Sequence, residues 1–304
     1  MRICFLIFAG PALLGLGCAA PLASSPSSAP SAQLELDHPL TGQIWDQRNQ
    51  RFISESTLVQ SLQSVPFVLL GESHVNPIHH RLQARLVSQL ADQQTTVAFE
   101  MLDQPYGLDD VTETAEISKI THWSESGWPD FSIYEPIFAA TLQAKAHIAS
   151  ANPPKAKVRE TMQKGTISVT DQERVALRLE RDLPQEQRQA MHDLIVEVHC
   201  GHATGMEAGM VSAQILKNAW MARSLRTSGK ARGILIAGSG HTRRDRGVPF
   251  YLDDNVLTVD FVEAHRDRQS ATQYRGKSDS SDYLWFTARM DYRDPCDYFR
   301  KLKK

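Results

Sequence analysis

Five short apolar runs constrain this chain most strongly: residues 65–70, 96–99, 147–151, 233–237 and 256–261. They are rich in Val, Ile and Leu and bounded by Gly, Pro, Asp or Asn, as parallel strands covered on both faces are. Helical patterns lie between them, for example over residues 77–90 and 134–145. This alternation predicts an α/β fold with a mostly parallel central sheet flanked by helices. About 80 residues separate the third run from the fourth, far more than one crossover helix needs. Much of that stretch reads as helical, over 171–181, 184–198 and 206–226, and Ala190, Met191, Leu194, Ile195 and Val198 share one face. A helical insertion or cap, about residues 155–229, is therefore expected over one edge of the sheet.

In an open α/β sheet, ligands bind beyond the carboxyl ends of the strands. The first run ends in Gly71-Glu72-Ser73-His74, and His79-His80 follow on the opening turn of a helix. The second is followed by Glu100, the third ends in Asn152-Pro153-Pro154, and the fourth ends in Gly238-Ser239-Gly240-His241. With parallel strands, Glu72, His74, Glu100, Asn152 and His241 project from one rim. Carboxylates and imidazoles there can hold a metal, activate water or touch a cofactor. Singly each has a plainer use: Glu72 and His74 can cap a strand, Glu100 can pair with an arginine, and His241 can cap a helix. Gly238, Gly240 and Gly247 let the backbone turn tightly against a flat ligand. No third glycine completes a dinucleotide fingerprint, and there is no Walker loop or Gly-x-Ser-x-Gly elbow. Signatures of hydride transfer, phosphoryl transfer and serine hydrolysis are thus absent. In the insertion, His192, His199, Cys200 and His202 fall within eleven residues and precede Met206, Met210 and Met221. These can line a cavity, or face water and pack in a core.

The amino terminus reads differently. Met1-Arg2 precedes an apolar stretch, residues 3–17, shorter than the roughly 20 residues that span a bilayer. It suits a secretory signal. Cys18 directly follows Leu14-Gly15-Leu16-Gly17, as in a bacterial lipobox whose Cys is acylated; ordinary cleavage to a soluble periplasmic product is the alternative. Residues 19–32 are almost wholly Ala, Ser and Pro, a tether composition. The expected organisation is a signal over 1–17, a lipidated Cys and tether over 18–34, and one α/β domain over 35–304. With Cys4 removed and Cys18 acylated, Cys200 and Cys296 remain and can pair in an oxidising compartment. A formal net charge of −2 leaves no electrostatic footprint for nucleic acid.

Several segments together resemble the ChaN-like haem-binding lipoproteins of the Tiki/erythromycin-esterase superfamily. They are Gly71-Glu72-Ser73-His74 with His80-Arg81-Leu82-Gln83, Phe99-Glu100-Met101, Trp128-Pro129 with Tyr134-Glu135-Pro136-Ile137, Asn152-Pro153 and Met221-Ala222. Ala237-Gly238-Ser239-Gly240-His241 with Gly247-Val248-Pro249, the run Asp282 to Thr287 and Asp294-Pro295-Cys296 also match. The resemblance spans nearly the whole chain after the tether.

It implies a lipid-anchored protein of the Gram-negative cell envelope; Ala19 rather than Asp after Cys18 resembles lipoproteins of the outer membrane, facing the periplasm or the cell surface. Such a protein binds haem for uptake or storage, works with haem-uptake machinery, and pairs as a homodimer with two haems face to face. Haem is held non-covalently, since Cys-x-x-Cys-His is absent. A tyrosine ligand to iron is implied. Tyr134, in a matching motif, is the first candidate, followed by Tyr251, Tyr106, His199 and His241. His74, His80, Glu72, Glu100 and Met210 are the further cofactor-binding candidates. The same superfamily implies a rival: a hydrolase using a divalent metal or Glu/His general-base chemistry. Glu72 is then base or ligand, His74, His80 and Glu100 are ligands, and His241 is acid or oxyanion stabiliser. A scaffold with vestigial rim residues is a third, non-catalytic reading.

Overall fold

Successive residues of a strand point to opposite faces, and in this chain both faces of the central strands are apolar. The computed structural model describes residues 33–198, 205–253, 255–274 and 280–290. Its strands are β1 (Gln33–Leu34), β2 (Ile44–Asp46), β3 (Arg51–Ile53), β4 (Phe67–Glu72) and β5 (Thr95–Phe99). They continue as β6 (His147–Ser150), β7 (Arg232–Gly238), β8 (Val256–Glu263), β9 (Tyr283–Thr287) and β10 (Arg289–Met290). The helices are α1 (Glu55–Gln63), α2 (Pro77–Leu90), α3 (Thr114–Ile120), α4 (Trp123–Ser126) and α5 (Phe131–Gln143). After them come α6 (Lys155–Lys164), α7 (Asp171–Ala176), α8 (Gln185–Val198), α9 (Glu207–Arg226) and α10 (Ser239–Thr242). None of these helices is long and apolar enough to cross a membrane.

Eight strands form one sheet in the order β3-β2-β9-β8-β4-β7-β5-β6. From β9 to β6 all neighbours are parallel, while the β2/β3 hairpin adds an antiparallel edge. The expected parallel α/β sheet is therefore present, and all five apolar runs lie in it.

Val68 and Leu70 of β4 enter a core with Leu86 and Val87 of α2 and Ile137 and Phe138 of α5. Leu69, between them, enters a second core with Leu216, Ala219 and Leu225 of α9. All of these side chains are buried, and a fully buried Leu or Val contributes about 1.5–3 kcal/mol. Two-sided burial is why the strands read as unbroken apolar runs rather than alternating ones.

The topology places a crevice at the centre. β4 and β7 are neighbours. The chain leaves β4 through α2, which packs in the first core, but leaves β7 through residues 248–252, which pack in the second. Their exit loops part there, as at the switch point of a doubly wound sheet.

Several elements differ from the sequence reading. The connection between β6 and β7 does contain the helices α6 to α9. However, α9 lies on a face of the sheet, against Leu69, Ala98 and Leu235, not over an edge. The helix expected from Tyr134 starts at Phe131, because Asp130 caps it by accepting from the Ser132 amide at 2.9 Å. It stops before Lys145, which turns into the left-handed region at φ 52°. The helix expected over 171–181 ends at Ala176, just before Arg178 at φ 56°. On α8, Met191 and Ile195 are buried, but Leu194 and Val198 face out, so half of the apolar face is uncovered.

Candidate functional site

β4 delivers Glu72 as its last residue, and two turns beyond it fix what surrounds that carboxylate. Asn76 caps α2 by accepting from the Ile78 amide at 2.9 Å, with Pro77 opening the helix. This sets His79 and His80 on the first turn. His79 Nδ1 accepts from the Ser73 amide at 3.0 Å and its Nε2 lies 3.0 Å from Thr287 Oγ1. Burial drives its pKa down to about 3, so it is a neutral ring tying the Glu72–His74 loop to β9. His80 points the other way, with Nε2 3.0 Å from Glu72 Oε2.

Glu72 Oε1 accepts from the Tyr134 hydroxyl at 2.9 Å and pairs with His74 Nδ1 at 2.9 Å. Burial alone pushes the Glu72 carboxyl up, but the His80 and His74 imidazoles outweigh it and hold it at about 2. The carboxylate is thus charged and buried, with Oε1 shared by Tyr134 and His74 and Oε2 facing His80.

Glu100 follows β5 and forms the second centre. Its Oε2 accepts from the Gly238 amide at 2.9 Å, and its Oε1 lies 3.2 Å from His241 Nε2. The other ring nitrogen of His241 is 2.6 Å from Asn218 Oδ1, and Asn218 Nδ2 donates to the Arg246 carbonyl at 3.0 Å. Burial opposes the Glu100 charge, yet His241, His74 and Lys217 together hold its carboxyl far below the usual range. Asn152 does reach the rim, where its amide donates to the Glu100 carbonyl at 2.9 Å.

His74 joins the two centres. Nδ1 is on Glu72 and Nε2 stands 3.7 Å from Glu100 Oε2. Its side chain is 34% exposed, whereas Glu72, His80 and Glu100 are shut in. Burial lowers its pKa, but the Glu72 hydrogen bond and the Glu100 and Glu72 charges more than reverse that. Trp128 meets the ring edge-on, with centroids 4.9 Å apart. A Cβ at Gly238 would lie 2.8 Å from His74 Nε2, so only glycine leaves room for this ring.

The structure thus gathers Glu72, His74, His80, Glu100, Asn152, Tyr134 and His241 at one rim. Tyr134 is wholly buried on α5, with its ring 4.1 Å from that of His80. Its hydroxyl is donated to Glu72, and burial with the Glu72 charge drives its pKa far above the ordinary phenol value. Tyr106 donates to Asp103 at 2.8 Å, Tyr251 is buried in the second core, and both phenols are pushed up to about 12. Met210 packs against the second core as well. His192 is exposed, 3.4 Å from Asp193. Cys18, His199, Cys200, His202 and Cys296 lie outside the described residues.

Two residues of the site escape the strand-end logic: Lys217 and Asn218 of α9. Lys217 Nζ stands 3.8 Å from Glu100 Oε1. Their signal is a Lys-Asn pair within an otherwise apolar, buried stretch of helix, Ile215-Leu216 before it and Ala219 after. Among the described residues, no group of three or more His, Cys, Asp or Glu is arranged to hold a metal ion.

One buried acid underlies the rim without belonging to it. Asp260 of β8 accepts from the Thr242 hydroxyl at 2.5 Å and so pins α10, which carries His241, to the sheet. Burial holds its carboxyl up at about 6, despite the Thr242 hydrogen bond. Between about pH 4, where the unfolded acid titrates, and pH 6 the folded chain binds the extra proton, so stability falls as pH rises. Asp260→Asn keeps an acceptor for Thr242 without the charge. It is expected to raise the melting temperature by about 4 °C at pH 8 and hardly at all at pH 4. A gain of equal size at both pH values would refute the buried-charge account.

The whole rim, from Glu72 to His241, falls within a family match. The model of the haem-binding uptake family, Tiki superfamily, ChaN, matches residues 58–252. The chain belongs to this family. Among solved structures, that of cofacial haem binding to ChaN of Campylobacter jejuni is similar at 19% identity with a TM-score of 0.62. That likeness covers 80% of this chain and 95% of that one. The type III effector HopBA1 is similar at 13% identity and a TM-score of 0.44, over 76% of this chain and 91% of that one. No curated protein sequence matches significantly.

Proposed function

We propose that this chain binds haem non-covalently at the rim and serves haem uptake or storage. The ChaN-family match over residues 58–252, which encloses every rim residue, carries this reading. The donor set fits. His74 is the one partly open ring among the described rim imidazoles, held through Nδ1 by Glu72 and with Nε2 free of a hydrogen bond. An imidazole oriented by a carboxylate is a common way of presenting a metal ligand. Trp128 against that ring and the half-exposed Val75 beside it offer apolar surface for a flat macrocycle. The closed phenol of Tyr134 favours His74 over Tyr134 as the group that meets iron; His241 is closed too, with both nitrogens facing acceptors. Bound haem supplies iron with its ligand-exchange and redox chemistry; the chain's own part is to hold, orient and release it.

In this reading Cys18 carries the lipid, residues 19–32 tether the domain in the envelope, and the partners are haem-uptake machinery. The solved ChaN of Campylobacter jejuni binds haem cofacially, which supports pairing of two copies of this chain across their haems.

Titrating the purified domain with hemin is expected to give a saturable Soret shift at one haem per chain. His74→Ala is expected to move that band, and Tyr134→Phe to leave it in place. A Soret shift abolished by Tyr134→Phe alone would transfer ligation to the tyrosine, and no saturable shift would remove haem binding altogether.

A second reading, hydrolysis, has one observation in its favour. The chain Asn218–His241–Glu100 beside the partly open His74 has the linked carboxylates and imidazoles that general acid–base chemistry uses. Turnover of a chromogenic ester or peptide by the haem-free chain, lost in His74→Ala, would carry it.

A further inference from the structure

At the end of the sheet opposite the rim, four arginines gather round one carboxylate. α9 stops at Arg226, nine residues and roughly 13 Å along the helix from Lys217. β7 starts soon afterwards at Arg232, so this end lies at the amino ends of the strands. Arg178, just past α7, holds Asp253 through both Nη atoms, at 2.9 and 3.1 Å, and donates to the Tyr251 carbonyl at 3.2 Å. Arg181 donates to the Phe250 and Leu252 carbonyls at 3.3 and 3.1 Å and stands 3.6 Å from the same carboxylate. Arg226 donates through Nη2 to the Ala176 carbonyl at 2.8 Å, while its Nε is buried without an acceptor among the described residues. Arg223, one turn earlier on α9, lies over the Trp220 ring, 5.6 Å from its centroid. Among the described residues neither Arg223 nor Arg226 pairs with a carboxylate; Asp253 is taken by Arg178 and Arg181.

Carbonyls accept from these guanidiniums but do not cancel their charge. Arg188, Arg244 and Arg266 each sit beside a carboxylate of their own, at Asp182, Asp282 and Glu35. Here four cations share Asp253, and Arg226 is held below its ordinary range by burial and by the Arg178, Arg181 and Arg223 charges. The last turn of a helix favours Arg223 and Arg226, but that does not bring Arg178 and Arg181 to the same place. Arg178 is moreover held in the left-handed region at φ 56°, where a glycine would rest more easily. Val175, on α7 beside the cluster, is 68% exposed. An apolar side chain among arginines suits a lipid surface.

We propose that Arg178, Arg181, Arg223 and Arg226 form a second ligand site, separate from the rim, that receives a phosphate group, free in solution or on the headgroup of an anionic lipid. Guanidiniums suit phosphate because their paired N–H groups match two of its oxygens. Arg223 and Arg226 supply the donors, and Arg178 and Arg181, fixed against residues 250–252, supply further charge. A bound phosphate relieves the repulsion that Asp253 leaves. The site does not depend on the haem reading.

The test uses the full chain and the double variant Arg223→Gln/Arg226→Gln, which leaves the Arg178 and Arg181 contacts in place. Inorganic phosphate is expected to shift amide resonances over residues 176–181 and 223–226 saturably in the wild type. The variant is expected to bind it roughly tenfold or more weakly. Vesicles of phosphatidylcholine mixed with phosphatidylglycerol are compared with phosphatidylcholine vesicles. A preference for the anionic vesicles, reduced roughly tenfold in the variant and weakened by salt, assigns the phosphate to a lipid headgroup. Phosphate binding without that preference assigns it to a free anion. The control Arg51→Gln/Lys119→Gln removes two exposed charges on β3 and α3 and is expected to change neither result. A wild type with neither a saturable shift nor a vesicle preference would overturn the site. So would equal binding by the wild type and the arginine variant, or a loss of the same size in the control. Matching melting curves establish that the variants have folded, and the wild-type titrations decide the site if the arginine variant has not.

Discussion

Glu72→Ala is expected to cost the fold about 3–5 kcal/mol, the usual result of removing one partner from a buried ionic cluster. Set against a typical domain stability of about 5–15 kcal/mol, that is a large share. The reason is the number of groups that lose their acceptor at once. Tyr134 hydroxyl, His74 Nδ1 and His80 Nε2 all lie within 3.0 Å of this carboxylate, and Tyr134 and His80 have no exposure through which water can replace it. Glu72→Gln keeps the shape and one acceptor oxygen and is expected to lose less. The effect also depends on pH. The folded carboxyl titrates at about 2, below the unfolded value of about 4.3. Its stabilisation is therefore complete above about pH 5 and lost as pH falls towards 2. Denaturant unfolding of the two chains should show a wide gap at pH 7 that narrows below pH 4. A gap under about 1 kcal/mol at neutral pH would contradict a structural role for this cluster.

The fold was legible where two-sided burial wrote it into the chain. Residues such as Val68, Leu69 and Leu70 must all be apolar because they alternate between two cores. β2 and β3 were not legible: a strand of three residues, such as Ile44-Trp45-Asp46, carries no period to detect. β9, Tyr283-Leu284-Trp285-Phe286-Thr287, entered only as a family motif, since the polar sequence before it carries no apolar helical period to mark an alternation.

The rim was legible for a topological reason. Glu72, Glu100 and His241 each stand at or just beyond the end of a parallel strand, and parallel strands bring their ends to one side. What could not be read was which partner each group takes. Tyr134 matched a motif, but only the packing of α5 on α2 turns its hydroxyl inward to Glu72. His79 and His80 are adjacent in sequence and serve opposite sides of the same loop. Lys217 and Asn218 reach the rim only because α9 lies across β5 and β7, a contact between distant parts of the chain.

Gly71→Ala is the second change expected to have a large effect, and it tests the link between sheet and site. A Cβ there would collide with Asp260 Oδ1 and Thr242 Oγ1 and stand 3.1 Å from the Ser239 Cα. The last of these is backbone and the first two are locked to each other at 2.5 Å, so none can swing aside freely. Overpacking of this kind typically costs about 1–3 kcal/mol. The strain falls on α10, the turn that holds His241 against Glu100, so ligand binding at the rim should weaken along with stability. Combining the change with Thr242→Ala removes one colliding oxygen and frees Asp260 to move. The double variant should then be more stable than the sum of the two single losses implies. Strict additivity, or an unchanged melting temperature in Gly71→Ala, would mean that α10 is not braced against β4 in the way its contacts with Gly71 and Asp260 require.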